Sequence, residues 1–227
     1  MLSTQKEKIL IISPHPDDEV IGCGGLIYKA KELKADVHVL YMCTGETRQF
    51  VTGKTNSKIR ENEIKAVSEY GSFNYSILFK NKYFVKLDTL PQKEIIDPIE
   101  DLIESYKPNI IAIPFGDSYN QDHRATFTAC ITALRPLPKT VRHFVDKVLI
   151  YEEPYNWTIN NNFKPNFYID TTEVENHKIE LMKLHKSQNR DGSFARSPEN
   201  LLNRMRLRGS EVGILSAEAY VLLRGLF

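Results

Sequence analysis

The chain has 227 residues, of which 30 are lysine or arginine and 29 are aspartate or glutamate, so its formal net charge at pH 7 is +1. With 41% hydrophobic and 26% charged residues, the composition is that of a globular protein, and the length suits one large domain. A near-neutral chain lacks the concentrated basic surface that broad nucleic-acid binding needs. We therefore predict a globular protein that does not bind nucleic acid.

The amino-terminal residues and the cysteines favour a cytoplasmic protein. No apolar run approaches the roughly 18–20 residues that a membrane span requires. Residues 1–8 lead straight into a strand-sized apolar stretch, without a cleavable signal-peptide core. Cys23, Cys43 and Cys130 are far apart in sequence, so we predict buried, reduced thiols rather than a disulfide framework.

The first two-thirds of the chain alternates strand-like and helix-like segments. Apolar, β-branched runs predict strands at residues 8–13, 35–43, 75–79, 110–114 and 147–152. Apolar residues at helical spacing predict helices at residues 20–33, 57–70, 93–106 and 124–134. Strands that alternate with helices predict an α/β fold with a mostly parallel sheet, covered by helices on both faces.

The last third of the chain departs from this alternation. It contains a short strand at residues 167–170, a helix near 174–187 and an arginine-rich segment near 201–208. We predict a single domain over residues 1–227. Its core takes about the first 152 residues, and the remainder forms a C-terminal α/β elaboration.

Basic residues are concentrated in this last third. They predict a solvated face or a subunit contact, and a pocket for a phosphate on the substrate is the alternative. The residues are Lys183, Lys186, Arg190, Arg196, Arg204, Arg206 and Arg208.

The first predicted strand leads directly into the sequence Ser-Pro-His-Pro-Asp-Asp-Glu at residues 13–19. Ligands of open α/β sheets bind at the carboxyl ends of strands, so this position favours a functional site. His15 and Asp18 offer an imidazole nitrogen and a carboxylate oxygen across a tight turn, which Pro14 and Pro16 stiffen. The neighbouring carboxylate of Asp17 is then left for a second task.

A third ligand is expected from another strand end. His123 begins the helix after the fourth predicted strand, again on the carboxyl side of the sheet. Together His15, Asp18 and His123 predict an open catalytic zinc site, and the same set also fits Fe²⁺. Asp17 is then the predicted general base. An Asp-Asp-Glu run alone commonly caps a helix, but the two motifs together favour a catalytic site.

Glycines follow the first motif at positions 22, 24 and 25. Their spacing lacks the third glycine of a dinucleotide-binding turn, and they lie inside the predicted helix rather than before it. We predict that they allow close packing of the helix on the sheet.

These motifs and several later segments resemble the LmbE-like, or PIG-L-type, N-acetylglucosaminyl deacetylases. The resemblance covers nearly the whole chain, and His-Pro-Asp-Asp-Glu is its most specific part. The matching segments are residues 14–19 with the three glycines, Thr44-Gly45-Glu46, Arg60 with Glu63, residues 120–124, residues 178–188 and Ala217-Glu218-Ala219. The resemblance implies a Rossmann-like three-layer sandwich and zinc-dependent hydrolysis of the acetamide of a small amino sugar or its conjugate.

The resemblance also implies residue roles. His15, Asp18 and His123 match metal ligands, and Asp17 matches the catalytic base. Arg60 is similar to an arginine that contacts polar groups of the substrate, although a solvated arginine paired with Glu61 or Glu63 is the alternative.

Asn120 departs from the family pattern. Many relatives have a histidine at this position, three residues before the ligand histidine. An amide donates hydrogen bonds but cannot act as an acid, so Asp17 would carry the proton in both directions. Tyr119 or Ser118 is left to supply a further donor in the substrate site.

Two other functions remain open at this stage. Asn120 is compatible with a metal- or sugar-binding module without turnover. Carboxylates and histidines at strand ends also suit a metal-dependent phosphoesterase, although that class often uses two metals and only three good ligands are visible. The sequence leaves open whether the protein forms a homo-oligomer.

Overall fold

The fold is an α/β sandwich built on a seven-stranded sheet, in a computed structural model that describes residues 7–49, 53–155 and 163–226. The strands are β1 (Lys8–Ser13), β2 (Asp36–Tyr41), β3 (Thr47–Gln49), β4 (Gly53–Thr55), β5 (Asn74–Ile77), β6 (Ile110–Pro114), β7 (Lys147–Tyr151), β8 (Phe167–Asp170) and β9 (Ala217–Gly225). The helices are α1 (Asp18–Glu32), α2 (Ser57–Gly71), α3 (Gln92–Tyr106), α4 (Gln121–Ala133), α5 (Glu175–Leu184) and α6 (Pro198–Ser210). Short 3-10 turns occur at Leu87–Thr89 and Lys186–Gln188.

The main sheet has the strand order β5-β2-β1-β6-β7-β9-β8. The first five strands of this order pair in parallel. β9 is antiparallel to both of its neighbours, β7 and β8. The structure therefore confirms the predicted α/β fold with a mostly parallel sheet.

β1 is an interior strand of this sheet, between β2 and β6, and is buried on both faces. Ile9 and Ile11 belong to one hydrophobic cluster, and Leu10 and Ile12 belong to the other. Successive side chains of a strand point to opposite faces, so a continuous apolar run is what a doubly covered strand requires. The carboxyl end of β1 therefore lies between the carboxyl ends of β2 and β6, its parallel neighbours.

The three glycines of α1 lie against the sheet and the C-terminal segment. A Cβ atom at Gly22 would lie 2.2 Å from Cδ2 of Tyr151, and one at Gly25 would lie 2.4 Å from Cγ2 of Thr171. Both distances are far below van der Waals contact. This close approach confirms the packing role that we predict for these glycines.

Several elements differ from the prediction. β9 and the separate β3–β4 hairpin were not predicted. α4 begins three residues earlier than predicted because the Asn120 side chain caps it by accepting a hydrogen bond from the Asp122 N–H. The helix predicted to reach residue 187 ends at Leu184.

The cysteines of the described ranges are buried and free, as predicted. Across the same ranges, every helix is too short or too polar to cross a membrane.

Candidate active site

The site lies where the chain leaves β1, β6 and β7. His15 and Asp18 follow β1, His123 is in the first turn of α4 after β6, and Glu153 follows β7. These three strands are parallel neighbours in the sheet, so their carboxyl ends meet at one edge. Residues more than a hundred positions apart are thereby brought together.

The structure brings His15, Asp18 and His123 into one buried cluster. Asp18 Oδ2 lies 3.1 Å from His123 Nε2 and 3.4 Å from His15 Nδ1. One candidate ligand atom from each residue lies within 4.8 Å of the other two. Two imidazoles and one carboxylate in this arrangement can bind a divalent metal and leave positions open.

Each imidazole is held by a carboxylate on its other nitrogen. His15 Nε2 lies 2.8 Å from Asp122 Oδ2, and His123 Nδ1 lies 2.6 Å from Glu153 Oε1. Such outer carboxylates orient metal-binding histidines and raise their basicity. The other nitrogen of each ring faces Asp18. Two imidazole nitrogens and one carboxylate oxygen are a set of ligands that fits zinc or iron.

Asp122 and Glu153 are themselves held in place. Asp122 accepts hydrogen bonds from the backbone N–H groups of Val85 and Leu87. Glu153 accepts a hydrogen bond from the Ser118 hydroxyl. Neither carboxylate was predicted to have a role, although the position of Glu153 directly after a strand end is a signal that the sequence contains.

The carboxylates around the two imidazoles raise the pKa values of both rings. Burial alone would lower the pKa of His123, but Asp18 and Glu153 outweigh it and raise that pKa to about 10. Burial is likewise outweighed at His15, where Asp122 and Asp18 raise the pKa well above its ordinary value. Burial would raise the pKa of Asp18, but His123 and His15 bring it well below its usual range. A bound cation would take the place of the protons on the two imidazoles.

Asp17 is buried and has a left-handed backbone with φ of 116°. This conformation is uncommon for a residue other than glycine, and such strain persists only where the surroundings enforce it. The Asp17 N–H donates to Glu19 Oε2 at 3.0 Å, and its carbonyl accepts hydrogen bonds from Val20 and Ile21 at the start of α1. Burial raises the pKa of the Asp17 carboxyl, although Arg196 opposes this shift.

Glu19 is held in turn by His185. His185 Nε2 lies 2.6 Å from Glu19 Oε1, and both residues are fully buried. His185 follows α5, 166 positions from Glu19 in the sequence. No role was predicted for His185, because no local sequence pattern distinguishes it from the other histidines.

Asp17 also meets two arginines. Arg196 Nη1 lies 3.0 Å from Asp17 Oδ2, and Arg60 Nη2 lies 3.6 Å from Asp17 Oδ1. Arg60 is only 1% exposed and donates from Nη2 to the Pro16 carbonyl at 2.6 Å. The alternative of a solvated Arg60 is therefore wrong.

These groups surround a cavity of about 170 Å³. It is lined by the cluster and Asp17, both arginines and a rim of polar and aromatic side chains. The lining includes His15, Asp17, Asp18, His123, Arg60, Arg196, Phe84, Val85, Tyr119, Asn120, Tyr155 and Gln188.

Asn120 and Tyr119 lie on the wall and rim of this cavity. Asn120 Oδ1 caps α4, so its amide nitrogen is the group that can donate to a ligand. Tyr119 is 47% exposed and packs edge to face with Tyr155, and burial of its hydroxyl raises the pKa of Tyr119 to about 12. Tyr119 is therefore a neutral donor at neutral pH. Ser118 already donates its hydroxyl to Glu153.

Comparison with known proteins identifies the family. Residues 10–134 match the PIG-L family, described as GlcNAc-PI de-N-acetylase. The chain belongs to the PIG-L family. It is 28% identical over 214 residues to the probable N-acetyl-alpha-D-glucosaminyl L-malate deacetylase 2 of Bacillus subtilis, with 87% of this chain and 90% of the relative covered.

Solved structures share the fold of this PIG-L protein. The N,N'-diacetylchitobiose deacetylase from Pyrococcus horikoshii matches with a TM-score of 0.74 and 23% identity, covering 97% of this chain and 85% of the other. GalB, the 4-carboxy-2-hydroxymuconate hydratase from Pseudomonas putida KT2440, matches with a TM-score of 0.75 and 19% identity, covering 97% and 98%. The fold therefore hosts different reactions, and function has to be argued from the site.

Proposed function

We propose that this PIG-L protein is a metal-dependent hydrolase that removes the acetyl group from an N-acetylated amino sugar or sugar conjugate. The observation that carries the proposal is the buried cluster of His15, Asp18 and His123, with the carboxylate of Asp17 in the same cavity. The names of the Bacillus subtilis and Pyrococcus horikoshii proteins, both deacetylases, support the choice of reaction.

In this proposal His15, Asp18 and His123 hold the metal, and zinc is our first candidate ahead of Fe²⁺. A bound divalent metal would supply Lewis-acid chemistry, polarising the amide carbonyl and lowering the pKa of water. Asp122 and Glu153 orient the two imidazoles and keep their inner nitrogens directed at the cluster.

Asp17 is the proposed general base. The Asp17 carboxylate is buried in the cavity wall beside the cluster. Burial raises the pKa of Asp17, and a general base accepts a proton most efficiently when its pKa lies nearer the working pH. Asp17 would accept a proton from the attacking water and return it to the departing amine. Asn120 lines the same cavity but cannot release a proton, so Asp17 serves both steps.

The remaining polar groups of the cavity would orient the substrate. The Asn120 amide can donate to the oxygen that becomes negative when the amide carbon turns tetrahedral, and such donors are a large source of catalysis. The neutral Tyr119 hydroxyl at the rim can donate to a sugar hydroxyl. Arg60 contributes positive charge beside Asp17 in the cavity wall.

Release of acetate tests the proposal. We would incubate the protein with N-acetylglucosamine, its methyl glycoside and diacetylchitobiose, before and after chelation, and then with added Zn²⁺ or Fe²⁺. We expect acetate and free amine in equal amounts, loss of activity with chelator and recovery with metal. A protein that binds metal but releases no acetate from a broad panel of N-acetyl sugars would overturn the proposal.

The phosphoesterase alternative gains no support from the described residues. Their other group of candidate metal ligands, His15, Cys43 and Asp122, shares His15 with the first cluster. Both carboxylate oxygens of its Asp122 already accept backbone hydrogen bonds. A second metal at this group would compete with the contacts that orient His15.

A further inference from the structure

The arginines of α6 divide into two groups in the structure. Arg204 and Arg208 lie about one helical turn apart, and both contact the carboxylate of Glu152. Arg206 contacts Glu175 instead, and its side chain is 52% exposed. The arginine-rich segment is therefore not one solvated face, because two of its members pack against the chain that leaves β7.

The chain that leaves β7 carries one of the groups that orient the metal-binding histidines. Residues 152–155, which we call the β7 exit, follow the last strand residue, Tyr151, and form neither helix nor strand. Within this segment Glu153 Oε1 lies 2.6 Å from His123 Nδ1, and Glu153 and the two residues after it line the cavity. Because the strand has ended, the position of Glu153 depends on contacts from outside the sheet.

Arg204 supplies three of these contacts from a single guanidinium group. Its Nη1 donates to Glu152 Oε1 at 2.9 Å and to the Glu153 carbonyl at 3.3 Å. Its Nη2 donates to the Pro154 carbonyl at 2.6 Å. The acceptors belong to three consecutive residues, with Glu153 in the middle. A guanidinium holds its donors in a fixed plane, so it fixes the directions of these groups as well as their distances.

We propose that Arg204 is a positioning residue of the metal site, acting by holding the Glu153 carboxylate against His123. The other nitrogen of the His123 ring, Nε2, is thereby kept facing Asp18 Oδ2, which lies 3.1 Å away. The proposal rests on the proposed function, which assigns His123 to the metal. The Ser118 hydroxyl also donates to Glu153, so loss of Arg204 loosens this carboxylate without freeing it.

Arg204→Gln removes the guanidinium without leaving a buried charge unpaired. Glu152 keeps Arg208, which donates to its two carboxylate oxygens at 2.5 Å and 2.9 Å. We therefore expect the variant to fold, and thermal unfolding checks this. Arg206→Gln is the matched control, because it makes the same substitution on the same helix and removes only the exposed pair with Glu175.

The affinity for Zn²⁺ is the first measurement, since it requires no turnover. Removing a group that orients a metal ligand commonly costs about 10- to 100-fold in affinity, and Arg204 acts one step further out, so we expect Arg204→Gln to cost about tenfold. Arg206→Gln should bind within about twofold of the wild type. Arg204→Lys keeps the charge beside Glu152 but not the fork to the two carbonyls, so it should recover only part of the loss. Wild-type affinity in Arg204→Gln would overturn the proposal.

A double-variant cycle tests whether Arg204 acts through Glu153. Glu153→Gln alone should weaken Zn²⁺ binding by about 10- to 100-fold. Adding Arg204→Gln to that variant should then change the affinity by no more than about twofold, because the group that Arg204 positions is already altered. Losses that simply add would show that Arg204 affects the site by another route, and the proposal would be wrong.

Cobalt binding and acetate release separate this proposal from the proposed function. The visible absorption of Co²⁺ reports the arrangement of its ligands, and we expect it to change in Arg204→Gln but not in Arg206→Gln. If the wild type releases no acetate but its metal affinity depends on Arg204 through Glu153, the positioning role stands without the deacetylase. If acetate is released and Arg204→Gln alters neither the affinity nor the spectrum, the deacetylase stands and the positioning role is removed. A wild type that binds neither ion would overturn both.

Discussion

The turn after β1 and the C-terminal segment, residues 163–226, both reach the cavity but contribute in different ways. The turn places His15, Asp17 and Asp18 within four consecutive residues at a strand end. The C-terminal segment contributes His185 and Arg196, which contact the turn from positions far away in the sequence. The proposed base and two of the three proposed metal ligands lie on the turn or at its end, whereas the segment supplies groups that contact the turn and the start of α1.

The C-terminal segment also supports the helix that follows the turn. Lys178 Nζ donates to the Ile21 carbonyl and pairs with Glu218, and both groups are buried. Glu218 accepts hydrogen bonds from the N–H groups of Gly25 and Leu26. A backbone as strained as that of Asp17 persists only where its surroundings hold it, and the C-terminal segment supplies part of that support.

The largest effect is expected from Asp17→Asn, which removes the proposed base from the turn. Asparagine keeps the size of the side chain and tolerates the left-handed backbone, but it cannot accept the proton. We expect kcat to fall by about 10²- to 10⁴-fold, with the metal content per chain unchanged. Acetate release and metal analysis check this. Activity within tenfold of the wild type would show that Asp17 is not the base.

Asp122→Asn tests the outer support of the metal site. The amide would bring a donor to the side that now accepts from the Val85 N–H and contacts His15. We expect the affinity for Zn²⁺ to fall by about 10- to 100-fold, measured by competition with a chromophoric chelator. Asp97→Asn, at an exposed pair with Lys93, is the control and should bind Zn²⁺ like the wild type. Unchanged affinity in Asp122→Asn would contradict an orienting role.

His185→Leu tests whether the C-terminal segment positions Asp17 through Glu19. Without the contact to His185, Glu19 loses a partner and holds the Asp17 N–H less firmly. We expect kcat to fall about tenfold while KM changes little, because the position of the base rather than substrate binding is affected. His185→Gln, which can donate from the place of Nε2, should restore most of kcat. Equal impairment of the two variants would indicate a packing role alone.

The smallest effect is expected from Gly25→Ala, which tests the support of α1. The added Cβ would lie 2.4 Å from Cγ2 of Thr171 and 3.1 Å from Oε2 of Glu218. We expect the free energy of unfolding in urea to fall by about 1 kcal/mol, with kcat within twofold of the wild type. Glu32→Ala, at the exposed end of the same helix, is the control and should change stability by no more than about 0.5 kcal/mol. A large loss of kcat in Gly25→Ala would place the support of α1 among the groups that determine activity.

Local sequence patterns predicted much of the fold. The bounds of β1, β6 and β8 match the predicted segments because short apolar or alternating runs in these strands follow from local composition. The convergence of His15, Asp18 and His123 was predictable because carboxyl ends of parallel strands meet at one edge. The division into a core and a C-terminal elaboration near residue 152 stays a prediction.

Other features could not be predicted because their causes lie outside the local sequence. β9 forms where it can pair with β7 and β8, and its antiparallel direction follows from that pairing. The support of Asp17 by Glu19 and His185 joins residues 166 positions apart. Nothing in the arginine-rich composition distinguishes Arg196, which enters the cavity, from Arg206, which lies in an exposed pair.

The sequence by itself determined the candidate metal ligands and Asp17, because each follows a strand whose apolar pattern marks where it ends. Only the tertiary structure decided which side chains surround them. Which side chains become neighbours depends on contacts between segments that are distant in sequence. Those contacts place Arg60 and Arg196 against the two oxygens of Asp17. The near-neutral total charge therefore conceals a local arrangement in which two buried or partly buried arginines share one carboxylate.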